Sequence, residues 1–280
     1  MFRALIACTA ALVSVSFAGA DEAPKLRFAW PKDSATPYQV VQTTTVQETT
    51  LDEQSKKPVE ITTVTKLTIG KKWLVKSVDT DGATLELITT ALKQEITQTV
   101  GDAKPVARVL DSASAEDAKG MTFLNKPIFS LKVDPIGKIS DVKSENPAAA
   151  DRLQADLPFK LHLPDAAPAA NSTWERAFEL KLPPPLGTGE KFDATQKFTF
   201  KGMNKDFAII GVATSLKTPL DDAAVMPAIV PMLWEGEVFF NAKSGQYHGA
   251  KLTIKKEIAN HQGEGTKFRY TSEYTEALAK

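Results

Sequence analysis

Long runs of strict period-2 alternation constrain this chain more than any other feature. Residues 38–50 hold Val40, Val41 and Val46 among five threonines. Residues 59–69 put Val59, Ile61, Leu67 and Ile69 on one parity and Glu60, Lys66 and Thr68 on the other. Residues 73–78 and 83–99 follow, joined by Asp79-Thr80-Asp81-Gly82. Alternation of this kind marks half-buried strands, and Asp-Gly between two such runs marks a hairpin. Strands of about ten residues or more coil, which favours curved sheets over flat ones. The expected class is mainly β: antiparallel curved sheets or half-barrels with a few short helices.

Helix signals are sparse. Ser114 can cap a turn that runs through Lys119 and ends at Gly120. Asn146-Pro147 opens an Ala-rich stretch that reaches Leu157, with Asn as cap and Pro at the first helical position. Residues 222–233 form a third candidate, which Pro227 and Pro231 restrict to a short or broken helix.

The Pro/Ala/Asp-rich residues 163–173 read as a connector between a first β-rich half, 21–162, and a second, 174–280. Each half contains an apolar strand, Asp or Asn, a short turn, Gly and another strand. In the first half this turn is Asp134-Pro135-Ile136-Gly137, and in the second it is Asn241-Ala242-Lys243-Ser244-Gly245. The halves are therefore expected to be related, although any antiparallel protein repeats hairpins. Gly187-Thr188-Gly189-Glu190-Lys191-Phe192 and Gly263-Glu264-Gly265-Thr266-Lys267-Phe268 also echo each other. Strand patterns rather than helices follow both, so they read as turns and not as phosphate cradles.

The N-terminus carries an export pattern. Met1-Phe2-Arg3 is followed by the uncharged apolar residues 4–17 and by Ala18-Gly19-Ala20. This is the plan of a secretory signal cleaved near Ala20. A run of about 14 residues is too short to cross roughly 30 Å of hydrocarbon as a helix. Leu5-Ile6-Ala7-Cys8 resembles a lipoprotein box, but a cut there would leave almost no apolar region before it. Residues 1–20 are thus expected to leave, giving a secreted or periplasmic protein without a transmembrane span. Cys8, the single cysteine, leaves with them, which excludes disulfides and thiol chemistry from the mature chain. The whole chain balances 34 basic against 34 acidic residues, which gives no electrostatic case for nucleic acid.

Catalytic and metal patterns are missing from the sequence. His162, His248 and His261 have no metal-type spacing, and no cofactor is implied. His248 shares the inward parity of Ala250, Leu252 and Ile254, so it could point into the core or a cavity, and a satisfied or rim histidine is the expected reading. Ser140-Asp141-Val142-Lys143 matches Ser-x-x-Lys but lies on a strand and lacks the companion motifs. Glu235 with Glu237, and Asp221 with Asp222, read as solvated strand carboxylates and a helix cap.

Residues 225–234 are too apolar for an exposed loop and too broken by proline for a regular helix. They are expected to form either a plug at one end of a barrel or a lid over an apolar cavity. Methionine suits a lid because it adapts to irregular ligands. Candidate ligand contacts are Met226, Ile229, Met232, Leu233 and Trp234, with Phe198, Phe200 and Phe239 on strands. Trp73 could line the same space.

The order of elements over residues 129–212 resembles a group of uncharacterised secreted bacterial proteins. Its members carry a Leu-Pro segment, a Gly-Asp-x-Trp-like motif and a late Gly-x-x-x-Phe-Asp-x-x-x-Gly hairpin. Here Leu163-Pro164 is present, Asn171-Ser172-Thr173-Trp174 replaces the second motif, and Gly236-Glu237-Val238-Phe239-Phe240-Asn241 replaces the third. The resemblance implies export and a β-rich fold similar to the open half-barrels of periplasmic lipoprotein carriers, and it implies no catalytic residue. Three functions stay open: binding of an apolar ligand or lipid in a concave sheet, a structural or interaction module for an envelope protein, and an enzyme of unrecognised type.

Overall fold

The alternating segments form strands, and these join a single antiparallel 12-stranded sheet. The computed structural model describes residues 24–279 except 53, 54, 56, 145–160, 183–186 and 221. The signal segment, the stretch opened by Asn146 and Asp221 lie outside the described residues. The strands are β1 (Ala35–Leu51), β2 (Pro58–Asp79), β3 (Gly82–Val100), β4 (Val106–Asp111), β5 (Pro127–Val133), β6 (Ile139–Lys143), β7 (Thr173–Leu182), β8 (Glu190–Asn204), β9 (Phe207–Leu216), β10 (Glu235–Asn241), β11 (Gln246–Ala259) and β12 (Lys267–Leu278). Their order is β6-β5-β3-β2-β1-β12-β11-β10-β9-β8-β7, with β4 beside the far half of β3. The sheet is open, and β1 pairs with β12 at its middle. Short helices are α1 (Ala115–Gly120), capped by the Ser114 side chain accepting from Asp117 N–H, and α2 (Met226–Ile229), continued by a 3₁₀ turn at Val230–Met232.

The sheet bends where its register slips. The runs at 59–69 and 73–78 are one strand, β2, joined through a bulge at Gly70/Lys71. At about 3.3 Å per residue its 22 residues span roughly 70 Å. That exceeds the width of the core, so the far ends of β1, β2, β3 and β4 run past it with both faces partly open. A second bulge, between Phe239 and Phe240, leaves His248 as the extra residue opposite them. The bulge takes His248 out of the parity it would share with Ala250 and leaves it half-buried. Its ring lies against Phe207, 4.6 Å between centroids, while Tyr247 and Ala250 on either side of the bulge are buried.

One continuous apolar core lies on the inner face. It takes Val40 from β1, Trp73 and Val75 from β2, Leu85 and Leu87 from β3, and Phe198, Ile210, Val238 and Phe240 from the other side of the sheet. Two segments without regular structure complete it. Residues 24–34 form a strap whose Leu26 and Phe28 are buried, and residues 161–164 contribute Leu161 and Leu163. Burying each such side chain contributes about 2 kcal/mol.

The strap is bonded to one turn from each side of the sheet. Phe28 N–H donates to Pro135 C=O and Ala29 N–H donates to Gly245 C=O, both at 2.8 Å. The side chains of Asp134 and Asn241 hold these turns in the same way, each accepting two backbone N–H bonds. Gly137 and Gly245 have positive φ, +87° and +67°. A Cβ on Gly137 would overlap the Leu161 carbonyl, and one on Gly245 would overlap the strap at Ala29. Both glycines therefore permit a close approach as well as a turn.

Candidate functional site

The apolar residues 225–234 cross the inner face as a bent plug. Asp222 Oδ1 accepts from Ala224 N–H at 2.9 Å and starts the turn. Pro227 is tolerated in the first turn, but Pro231 has no N–H to give the Pro227 carbonyl, so the helix tightens into the 3₁₀ turn after four residues. Val230 packs into the main core. Ile229 packs into a second cluster with Leu180, Leu182 and Ala194.

The sequence candidates fall into three groups. Met226 and Leu233 line a cleft beside the plug. Ile229, Met232 and Trp234 pack the plug onto the sheet, Trp234 meeting Tyr274 edge-on at 5.7 Å. Phe198 and Phe200 belong to the filled core, with Phe198 stacked on Trp174 at 5.6 Å. Trp73 is also in the filled core. Phe239 leaves the set: on β10 the buried side chains are Val238 and Phe240, so Phe239 has the opposite parity. Parity was legible in the sequence, but which parity faces the core depended on strands elsewhere.

The cleft has a volume of about 400 Å³ and opens to solvent. Met226, Val230 and Leu233 form one wall, Leu216 and Ile254 the other, and Thr214, Glu235, Lys255 and Lys256 contribute polar groups. A second open groove, of about 610 Å³, is lined by Tyr38, Lys71, Ala91 and Leu278. An apolar space beneath the strap, between Trp30, Trp73 and Leu131, measures only about 40 Å³, room for about three waters.

Two ionisable groups on the inner face differ in their surroundings: Glu276 is buried, and Arg176 is half-buried with its Nε out of water. Glu276, on β12, has Lys71 Nζ 2.8 Å from Oε1, off the direction of a well-aligned hydrogen bond. Its Oε2 accepts from Tyr274 OH at 2.7 Å and Tyr247 OH at 3.0 Å. Burial, followed by the Glu276 charge, pushes the Tyr38 and Tyr247 hydroxyls well above their ordinary value. Arg176, on β7, is the other group. Its Nη2 donates to Gln196 Oε1 at 2.8 Å and its guanidinium lies over Phe178, 5.1 Å from the centroid. Burial lowers it to about 10. Burial, and then Arg176, hold His162 below its ordinary value.

The other titratable candidates are structural. His261 Nε2 lies 2.9 Å from Glu48 Oε1 near the outer end of the sheet. Glu237 pairs with Lys201 on the surface. Ser140 and Lys143 lie on β6. Among the described residues no group of His, Cys, Asp and Glu is arranged to hold a metal ion, and no helix is long and apolar enough to cross a membrane. Sequence reasoning missed Thr214, Ile254, Lys255, Lys256 and Arg176. For Arg176 a signal existed: it alternates with Trp174, Phe178, Leu180 and Leu182, which places a charge in an apolar row.

No protein-family profile matches the chain, and no curated protein matches it. Among solved structures it is similar to one described as "Lipid-protein interactions in lipovitellin", with a TM-score of 0.49 and 11% identity over 90% of this chain and 26% of that one. This chain thus spans about a quarter of that protein's length. A second, described as "The complex structure of Pseudomonas aeruginosa MucA/MucB", gives a TM-score of 0.13 and 9% identity over 86% of this chain and 89% of that one. At these values neither likeness carries an argument about activity or ligand.

Proposed function

We propose that this is a non-enzymatic, exported envelope protein that holds an apolar or amphipathic ligand in the cleft beside the plug. The observation that carries the reading is the cleft itself. Its roughly 400 Å³ lies within the range of small-molecule sites, about 300–1,000 Å³, and apolar side chains form both walls. Export rests on the segment before Ala20. Met226 and Leu233, on a plug interrupted by two prolines, supply a wall that can adapt to different ligand shapes.

The test uses N-phenyl-1-naphthylamine, an uncharged apolar fluorophore, with the full chain. Saturable binding is expected, and Met226→Trp should fill the cleft and abolish it without lowering Tm. No saturable binding to the wild type, or unchanged binding to M226W, would sink this reading.

A second reading has one observation in its favour. Among the described residues strand β4 pairs only with β3, and Val106, Val109 and Leu110 on it are exposed. Such an edge supports pairing with a strand of an envelope protein. That role predicts capture of an extended peptide by the wild type and none by Val109→Lys.

A further inference from the structure

The inner side chains of β7 are Trp174, Arg176, Phe178, Leu180 and Leu182, so Arg176 places a guanidinium in an apolar row. Its cross-strand partner on β8 is Gln196, and the partner of Gln196 on β9 is Thr214. These three form a polar row across three strands of an otherwise apolar surface. Gln196 is almost fully buried and answers one N–H of Arg176. Arg176 Nε and Thr214 Oγ1 are both buried and make no hydrogen bond among the described residues, and the same holds for His162 Nδ1, whose ring feels the Arg176 charge. Desolvation lowers Arg176, and no carboxylate among the described residues opposes it.

A partly desolvated guanidinium that meets no acid among the described residues weakens the empty fold. The same group binds an incoming anion strongly, because water is excluded and its fork can offer two parallel N–H bonds. Thr214 connects this row to the cleft, since it lines the wall beside Leu216. Adjacent strands lie about 4.8 Å apart, so Arg176 starts about 10 Å from Thr214, a gap that an extended arginine and a head group can span.

We infer that the row Arg176–Gln196–Thr214 receives the single anionic head group, carboxylate or phosphate, of an amphipathic ligand whose apolar body lies in the cleft. This rests on the cleft reading above. Arg176 supplies the charge and Thr214 a hydroxyl donor, while Gln196 fixes the guanidinium. Lys255 and Lys256, at the cleft rim, are exposed and stay solvated.

The test is calorimetric titration of the full chain with decanoate, decyl phosphate and decanol. The wild type should bind at least one anion about tenfold or more tighter than decanol, and the two anions separate carboxylate from phosphate. Arg176→Gln should bind all three alike, with decanol affinity unchanged, and ligand-free R176Q should melt higher than the wild type. Thr214→Val should reduce the preference several-fold; it reports independently if R176Q does not fold. A wild type that binds decanol with no anion preference overturns the head-group site and leaves the cleft standing. Binding of none of the three overturns both. An unchanged preference in R176Q, or its loss in Lys255→Ala/Lys256→Ala instead, also overturns the assignment.

Discussion

Glu276 and Arg176 lie on the inner face of the same sheet, the first buried and the second half-buried, and the fold treats them in opposite ways. Around Glu276 three strands converge with an ammonium and two hydroxyls, so the carboxylate is answered from both sides. Around Arg176, at the edge strand, one amide oxygen and an aromatic face are all that the described residues provide. An answered charge fixes the packing of its neighbours. An unanswered one costs stability and leaves interaction capacity for something else. Burial alone therefore does not mark a site on this sheet.

The comparison breaks most sharply at Lys71. Lys71→Met leaves Glu276 buried with its hydroxyl donors only, and urea unfolding should show a loss of about 3–5 kcal/mol. The double variant Lys71→Met/Glu276→Leu should recover most of that. A K71M loss under about 1 kcal/mol would mean the pair is not an answered charge in the sense argued here.

Tyr247→Phe removes one donor from Glu276 and should cost about 1–3 kcal/mol. It also has a pH signature. A hydroxyl whose folded value is raised above its unfolded value of about 10 contributes fully below pH 10 and loses that contribution as pH climbs toward the folded value. Wild-type stability should thus fall above pH 10 and the fall should be shallower in Y247F, measured by urea midpoints in an alkaline series.

Arg176→Met tests the other side of the comparison. Removing an unanswered cation should raise the stability of the ligand-free protein by about 1 kcal/mol. A fall comparable to that in K71M would place Arg176 in the same structural class as Lys71.

The smallest effect belongs to an exposed pair. Arg269 holds the Glu257 carboxyl below its ordinary value through hydrogen bonds at 2.9 and 3.1 Å. Such a lowered acid contributes above its unfolded value, about 4.3, and loses the contribution as pH falls. Arg269→Ala should leave Tm at pH 7 within error, because the pair is solvated.

The sequence carried the parts of this structure that are local. Alternation located β2 and β3, Asp79–Gly82 their two-residue turn, and Ser114 the cap of α1. The plug was visible as an apolar run that two prolines keep from becoming a regular helix. What escaped is set by partners far along the chain. The parity of Phe239 depends on which face of β10 the core covers, and the position of His248 depends on a bulge that one strand imposes on another. The strap has no periodicity and is buried only because two distant turns accept it. Arg176 was legible as an inward position but not as an unanswered one, since that requires knowing which groups surround it.

The central pairing of β1 with β12 has a consequence in time. Phe28 and Ala29 need carbonyls at 135 and 245, and Tyr38 needs the strand that ends at Leu278. A chain delivered from its N-terminus presents the strap and β1 early; β1 can pair with β2 on one edge at once, but its other edge and the second bond of the strap must wait for most of the sequence to arrive. Contacts of such separation slow folding and leave strand edges unprotected meanwhile. An early segment is thus completed late, and a chain stopped before β12 would present one side of β1 as an open edge.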